Sequence, residues 1–197
     1  MAKRNSLSTQ PQKSEAWWDS SLGKITTAVI IPIIVSIMLF HFQSYWTVQN
    51  DQKIVANKFL SEIQVLEPNI ISAQTSYSDS LSTRQPSIKI DSIYPPNGLY
   101  YTNSGDLGKL DPSLTRNLTL FYFRLTKAED DRKMIINELK ILSTNSTAND
   151  YEKLLASKSV DLQYNEILDY VNSANSQIPE LKTELQAVEN KKQFIFF

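Results

Sequence analysis

Cysteine is absent from this 197-residue chain. Its absence excludes disulfide staples, thiolate catalysis and cysteine-held zinc or iron–sulfur centres. Histidine occurs once, as His41 inside an apolar run. Ser/His/Asp catalysis and histidine-based metal sites therefore have nothing to draw on. Glycine is scarce: the four are Gly23, Gly98, Gly105 and Gly108. No phosphate-cradling Gly-rich motif is present, and glycine confined almost to one loop suits a helical chain. Neither sign of charge dominates, with 20 basic and 21 acidic residues. The basic footprint that nucleic acid requires is missing. Asp130 and Asp131 are adjacent, so on a helix they diverge by about 100° and make a poor metal clamp. No cofactor and no enzymatic activity are expected.

What is present begins with ITTAVIIPIIVSIMLFHF, Ile25 to Phe42. No formal charge lies between Lys24 and Asp51. Taken on to Trp46, the run is roughly 33 Å of helix, enough to cross a hydrocarbon core. Trp17 and Trp18 precede it and Tyr45 and Trp46 follow it, as amphipathic aromatics do at the two headgroup levels. Pro32 predicts a modest kink, and Ser36 either bonds back along the helix or faces a partner. No small-residue cleavage site follows, so the run reads as an uncleaved signal anchor. Lys3, Arg4, Lys13 and Lys24 precede it, against Lys53 and Lys58 after it. That asymmetry puts the N-terminus in the cytoplasm and the long C-terminal part outside, in a single-pass cell-membrane protein.

The expected fold is mainly α: a transmembrane helix continuing into a stalk, then an antiparallel bundle of three to four helices with one long irregular loop. Residues 1–20 form a polar tail, 21–46 the span, 47–81 the stalk, 82–110 the loop and 111–197 the rest of the bundle, with 47–197 as one domain. The stalk stripe runs Val48, Val55, Phe59, Ile63, Leu66, Ile70, Ala73, Tyr77, Leu81 and keeps its phase across Pro68. The segment Ser87–Tyr94 alternates apolar and polar residues and reads as an extended piece laid along the bundle. Asp111 and Pro112 start a helix as N-cap and N1. Its stripe is Leu114, Leu118, Phe121, Leu125, Ala128, Arg132, Ile135, Leu139, Leu142. Arg132 sits in that stripe, with Glu129 in reach of its guanidinium. A further helix carries Leu154, Leu155, Leu162, Ile167, Leu168 and Val171, and Pro179 opens or kinks a last one with Leu181, Leu185 and Val188. The closing FIFF caps the core or plugs into a partner or the membrane interface.

The run Ile93-Tyr-Pro-Pro-Asn-Gly-Leu-Tyr-Tyr, then Asp106-Leu-Gly-Lys-Leu-Asp111, then Phe121-Tyr122 and Ala128-Glu129 with Arg132, is similar to a pattern in uncharacterised single-pass membrane proteins of archaea. The resemblance covers roughly Ile25 to Leu142. It implies that the loop and the helix after it form one unit, and it brings no activity with it.

Two sequons occur, at Asn117 and Asn145, the latter in a polar loop. The expected role is an accessory or structural interaction subunit of a membrane complex. Its partners would be the lipid bilayer and another protein or a second copy, through helical surfaces. The alternative is an extracytoplasmic sensor or ligand-binding domain signalling through a partner, with Tyr100, Tyr101 and Arg132 lining its pocket. A sensor calls for a closed pocket between loop and helix, a scaffold for an exposed apolar groove.

Overall fold

Long helical stripes, few glycines and one proline-rich break produce a mainly helical molecule. The computed structural model describes residues 21–83, 91–144 and 150–191. The tail with Trp17 and Trp18, the sequon at Asn145, residues 87–90 of the alternating segment, the FIFF run and the side chains of Leu142, Leu154 and Leu155 lie outside the described residues. The elements are α1 (Ser21–Ile25), a π turn (Thr26–Ile30), α2 (Ile31–Thr83), α3 (Leu99–Asn103), a 3-10 turn (Ser104–Lys109), α4 (Pro112–Thr144) and α5 (Asp150–Glu189). No strand occurs among the described residues. The chain divides into two units, Met1–Thr47 and Val48–Phe197.

In the first unit the helix is apolar on every side. An 18-residue window reaches a mean hydropathy of 2.3 with none of it buried, so this helix is long and apolar enough to cross a membrane. Met38 is 67% exposed and Phe40 69%. Pro32 has no N–H and its ring crowds the carbonyl one turn back. The turn just before it widens instead: Ile31 N–H donates to Thr26 O, five residues back. Ser36 Oγ bonds back to Pro32 O at 2.7 Å.

In the second unit the stripes become a core. On α2, Val55, Phe59, Ile63, Leu66, Ile70, Ala73 and Tyr77 are buried. The stripe holds its phase through Pro68, which stays inside the helix on its exposed side. There the carbonyl freed by the missing N–H can bond water. Val48 departs from expectation, at 53% exposed. On α4 the stripe from Leu114 to Ala128 and Ile135 is buried.

α5 corrects two expectations. Pro179 does not open a helix; α5 runs through it, with the proline on the exposed face. Leu162 points outward, at 62% exposed. The buried seam is Val160, Tyr164, Ile167, Val171, Ala174, Ile178, Leu181 and Leu185, alternating steps of four and three.

Cross-helix bonds fix the directions. Asn117 donates to Glu184 at 3.3 Å and Gln163 to Glu138 at 3.2 Å, so α5 runs antiparallel to α4. Lys182 binds Glu67 at 2.5 Å and Asn175 donates to Gln74 at 3.1 Å, so α5 is also antiparallel to α2. α2 and α4 therefore run the same way. The segment between them must carry the chain back along their length. It is less irregular than its composition suggests: α2 extends to Thr83, and α3 with the 3-10 turn fills Leu99 to Lys109.

Candidate functional site

The returning segment is fastened to α2 and α4 by two carboxylates, Glu62 and Glu129. Glu62 lies beside the α2 stripe. Its Oε2 accepts from Tyr122 Oη at 2.6 Å, and its Oε1 accepts from Leu99 N–H at 2.5 Å. One carboxylate thus joins α2, α4 and the start of α3, and satisfies an N–H at the head of that helix.

The geometry of the turn before Leu99 follows from its residues. Gly98 N–H donates to Pro95 O at 3.1 Å. A Cβ at Gly98 would overlap the far end of the Tyr94 ring, so a larger residue there must displace that ring. Tyr94 Oη accepts from Tyr100 N–H at 3.1 Å. Tyr100 stacks on Tyr122 with centroids 5.2 Å apart and planes 13° apart, and Tyr94 packs on the same ring at 5.6 Å. Tyr101 is half exposed and donates its hydroxyl to Thr126 Oγ1 at 3.1 Å.

The second carboxylate is buried. Glu129 is 4% exposed. Arg132 grips it with two N–H groups, at 2.6 and 3.0 Å, and Ile93 N–H donates to it at 2.9 Å. Burial alone would push this carboxyl up. The bonds from Arg132 and Ile93 outweigh that and hold it below the ordinary carboxylate value. The same bond draws Ile93 into the core, where Ile93 and Tyr94 are almost fully buried.

These groups serve as fixed donors and acceptors. Burial first, then the Glu62 charge, raises the Tyr122 phenol far above its ordinary range, so it donates and does not ionise. Burial also raises Tyr77, whose hydroxyl has no hydrogen-bond partner among the described residues and whose ring meets Tyr164 edge-on at 5.4 Å. No cluster of three metal-binding side chains occurs among the described residues. Asn117 is early in α4 and donates its amide to Glu184 on α5.

Of the residues singled out from sequence, Tyr100 and Tyr101 sit together around Tyr94 and Tyr122, and Arg132 is on Glu129. Glu62 and Tyr94 were not foreseen as joints. Glu62 could have been suspected only as an acid flanking a buried stripe.

Concavities lie on this unit. An open groove of about 500 Å³ on α2 is lined by Ile54, Asn57, Lys58, Ser61 and Leu99. Lys58 at its edge is 3.5 Å from Asp106, which also binds Lys109 at 3.0 Å. A more enclosed cavity of about 250 Å³ is lined by Gln52, Leu110, Asp111, Pro112, Val188 and Lys191. No family model, curated protein or solved structure matches the chain.

Proposed function

We propose that this chain is a single-pass membrane protein whose helical domain is an interaction subunit of a membrane complex, without catalysis of its own. The observation that carries this reading is the helix window that is apolar on all sides and uncovered, followed in the same chain by a domain whose polar groups bind one another. The domain is read as a bundle of three long helices lying outside the cell membrane, with the N-terminus in the cytoplasm. The open groove beside Ile54 and Leu99 supports a scaffold. Tyr100 and Arg132, which a sensor would need in a pocket, are taken up by Tyr122 and Glu129. The similarity to archaeal single-pass proteins belongs to the same proposal.

Mild-detergent purification of the native protein from its own membranes, with mass spectrometry of what accompanies it, tests the role. A stoichiometric companion is expected; recovery of the chain alone would sink the subunit reading. Orientation is tested separately. Because the chain has no cysteine, Ser8→Cys and Ser104→Cys each give a single thiol. In intact cells a membrane-impermeant maleimide is expected to label the second and not the first.

A further inference from the structure

The buried stripe of α4 has a counterpart on the outer side of the same helix. Arg116, Leu120, Phe123, Lys127, Asp130 and Met134 are all exposed. Their steps alternate four and three, which keeps them within about 40° of one line along the helix. That is the spacing of a helix-pairing seam. Three of them are large and apolar: Leu120 is 39% exposed, Phe123 51% and Met134 49%. The bundle does not use this line, because α4 enters the core through Leu114, Leu118, Phe121 and Leu125.

The order of groups along the line is self-complementary. Lys127 and Asp130 are equidistant from the point between Ala128 and Glu129, and so are Phe123 and Met134. A two-fold axis through that point lays α4 antiparallel to a second α4. It sets each Lys127 against the opposite chain's Asp130 and each Phe123 against the opposite chain's Met134. A closed two-fold contact has this form: one residue meets another, and the second meets the first in return. One pair is oppositely charged, and the other puts a thioether against an aromatic ring. A parallel pairing in register would instead oppose Lys127 to Lys127 and Asp130 to Asp130. The charges are available for the contact. Asp130 reaches Lys133 only at 3.8 Å, with both side chains more than half exposed.

We propose that the outer face of α4 binds the same face of a second copy of this chain, antiparallel, about an axis between Ala128 and Glu129. The apolar pairs supply the attraction, and the charged pairs set register and direction. The contact is small, so the association is reversible. It concerns two copies of this chain and stands or falls separately from the companion sought above.

The test uses the full-length protein in detergent, where no shared bilayer restricts the approach of two copies. Ser104→Cys supplies one thiol for a donor or an acceptor dye, and energy transfer is followed against concentration. Lys127→Glu and Asp130→Lys each put like charges at both symmetry-related pairs. Each is expected to weaken self-association about tenfold. Mixed in equal amounts, the two variants regain opposite charges at both pairs and should associate with each other as the native chain does with itself. Phe123→Ala should weaken association while leaving denaturant unfolding unchanged. A native chain that stays monomeric overturns the proposal. So does association that ignores both charge reversals, which would move the contact to another surface. So do single variants that match the native chain and gain only on mixing, which would make the pairing parallel. A monomeric chain recovered with a companion of different sequence would leave the subunit reading standing and remove this one.

Discussion

The two parts of α2 both carry many aliphatic and aromatic side chains and treat them in opposite ways. Before Thr47 the large side chains stand exposed around the whole circumference, as with Leu39 at 55% and Phe40 at 69%. After Val48 the exposed positions are mostly polar, and one stripe is sealed, with Phe59 at 1% and Ile63 at 0%. A single helix thus carries two patterns suited to two surroundings. Hydrophobicity spread all round asks for hydrocarbon, and hydrophobicity gathered into a stripe asks for other helices.

The largest expected effect breaks the first half. Ile34→Lys together with Met38→Lys places two charges mid-span, at about 5 to 7 kcal/mol for the pair. Alkaline carbonate extraction should then release the protein; retention in the pellet would show that the window does not span. Next, Phe59→Ala should cost about 3 to 5 kcal/mol in denaturant unfolding of the second unit. Phe40→Ala should leave that unfolding unchanged, and equal losses would erase the contrast between the halves.

Glu129→Gln sharpens the second half and should cost about 1.5 to 3 kcal/mol, the range for hydrogen bonds to a charged group. The carboxyl is held below its ordinary value in the folded chain. Its contribution is therefore complete above that ordinary value and is lost as pH falls through the folded one. Acid titration of the native protein should show this loss, and the variant's stability should be flatter over the same range. The smallest effect is at Gly98. Gly98→Ala forces a methyl against Tyr94 and should cost about 1 to 3 kcal/mol. If its thermal midpoint matches the native one, the Tyr94 ring moves aside freely.

The apolar window and the stripes of α2 and α4 were legible because each is a local periodic signal. The continuity of α2 through Pro68 was legible for the same reason: the stripe keeps its phase. α5 was read less well. Its seam also depends on Val160, Tyr164, Ala174 and Ile178, whereas leucines drew attention to exposed Leu162. Of the two readings of Pro179, a helix start overlooked how little a proline on the wet side of a packed helix disturbs. The Glu62 joint was not legible at all. Tyr122 is 60 residues away from it in sequence, and nothing local marks the pairing. The groove and the cavity are likewise products of helices meeting, and no spacing announces them.

The opposed direction of α5 has a kinetic consequence. Glu67 must wait for Lys182, 115 residues later in the chain. At synthesis rates of roughly 5 to 20 residues per second, that interval is on the order of ten seconds. Throughout it the newborn stripe of Ile63, Leu66 and Ile70 has no α5 to cover it, although the apolar window ahead of it has already left the ribosome. Completion of this core is an event of the last helix, and its vulnerability to aggregation is greatest while the chain is still being made.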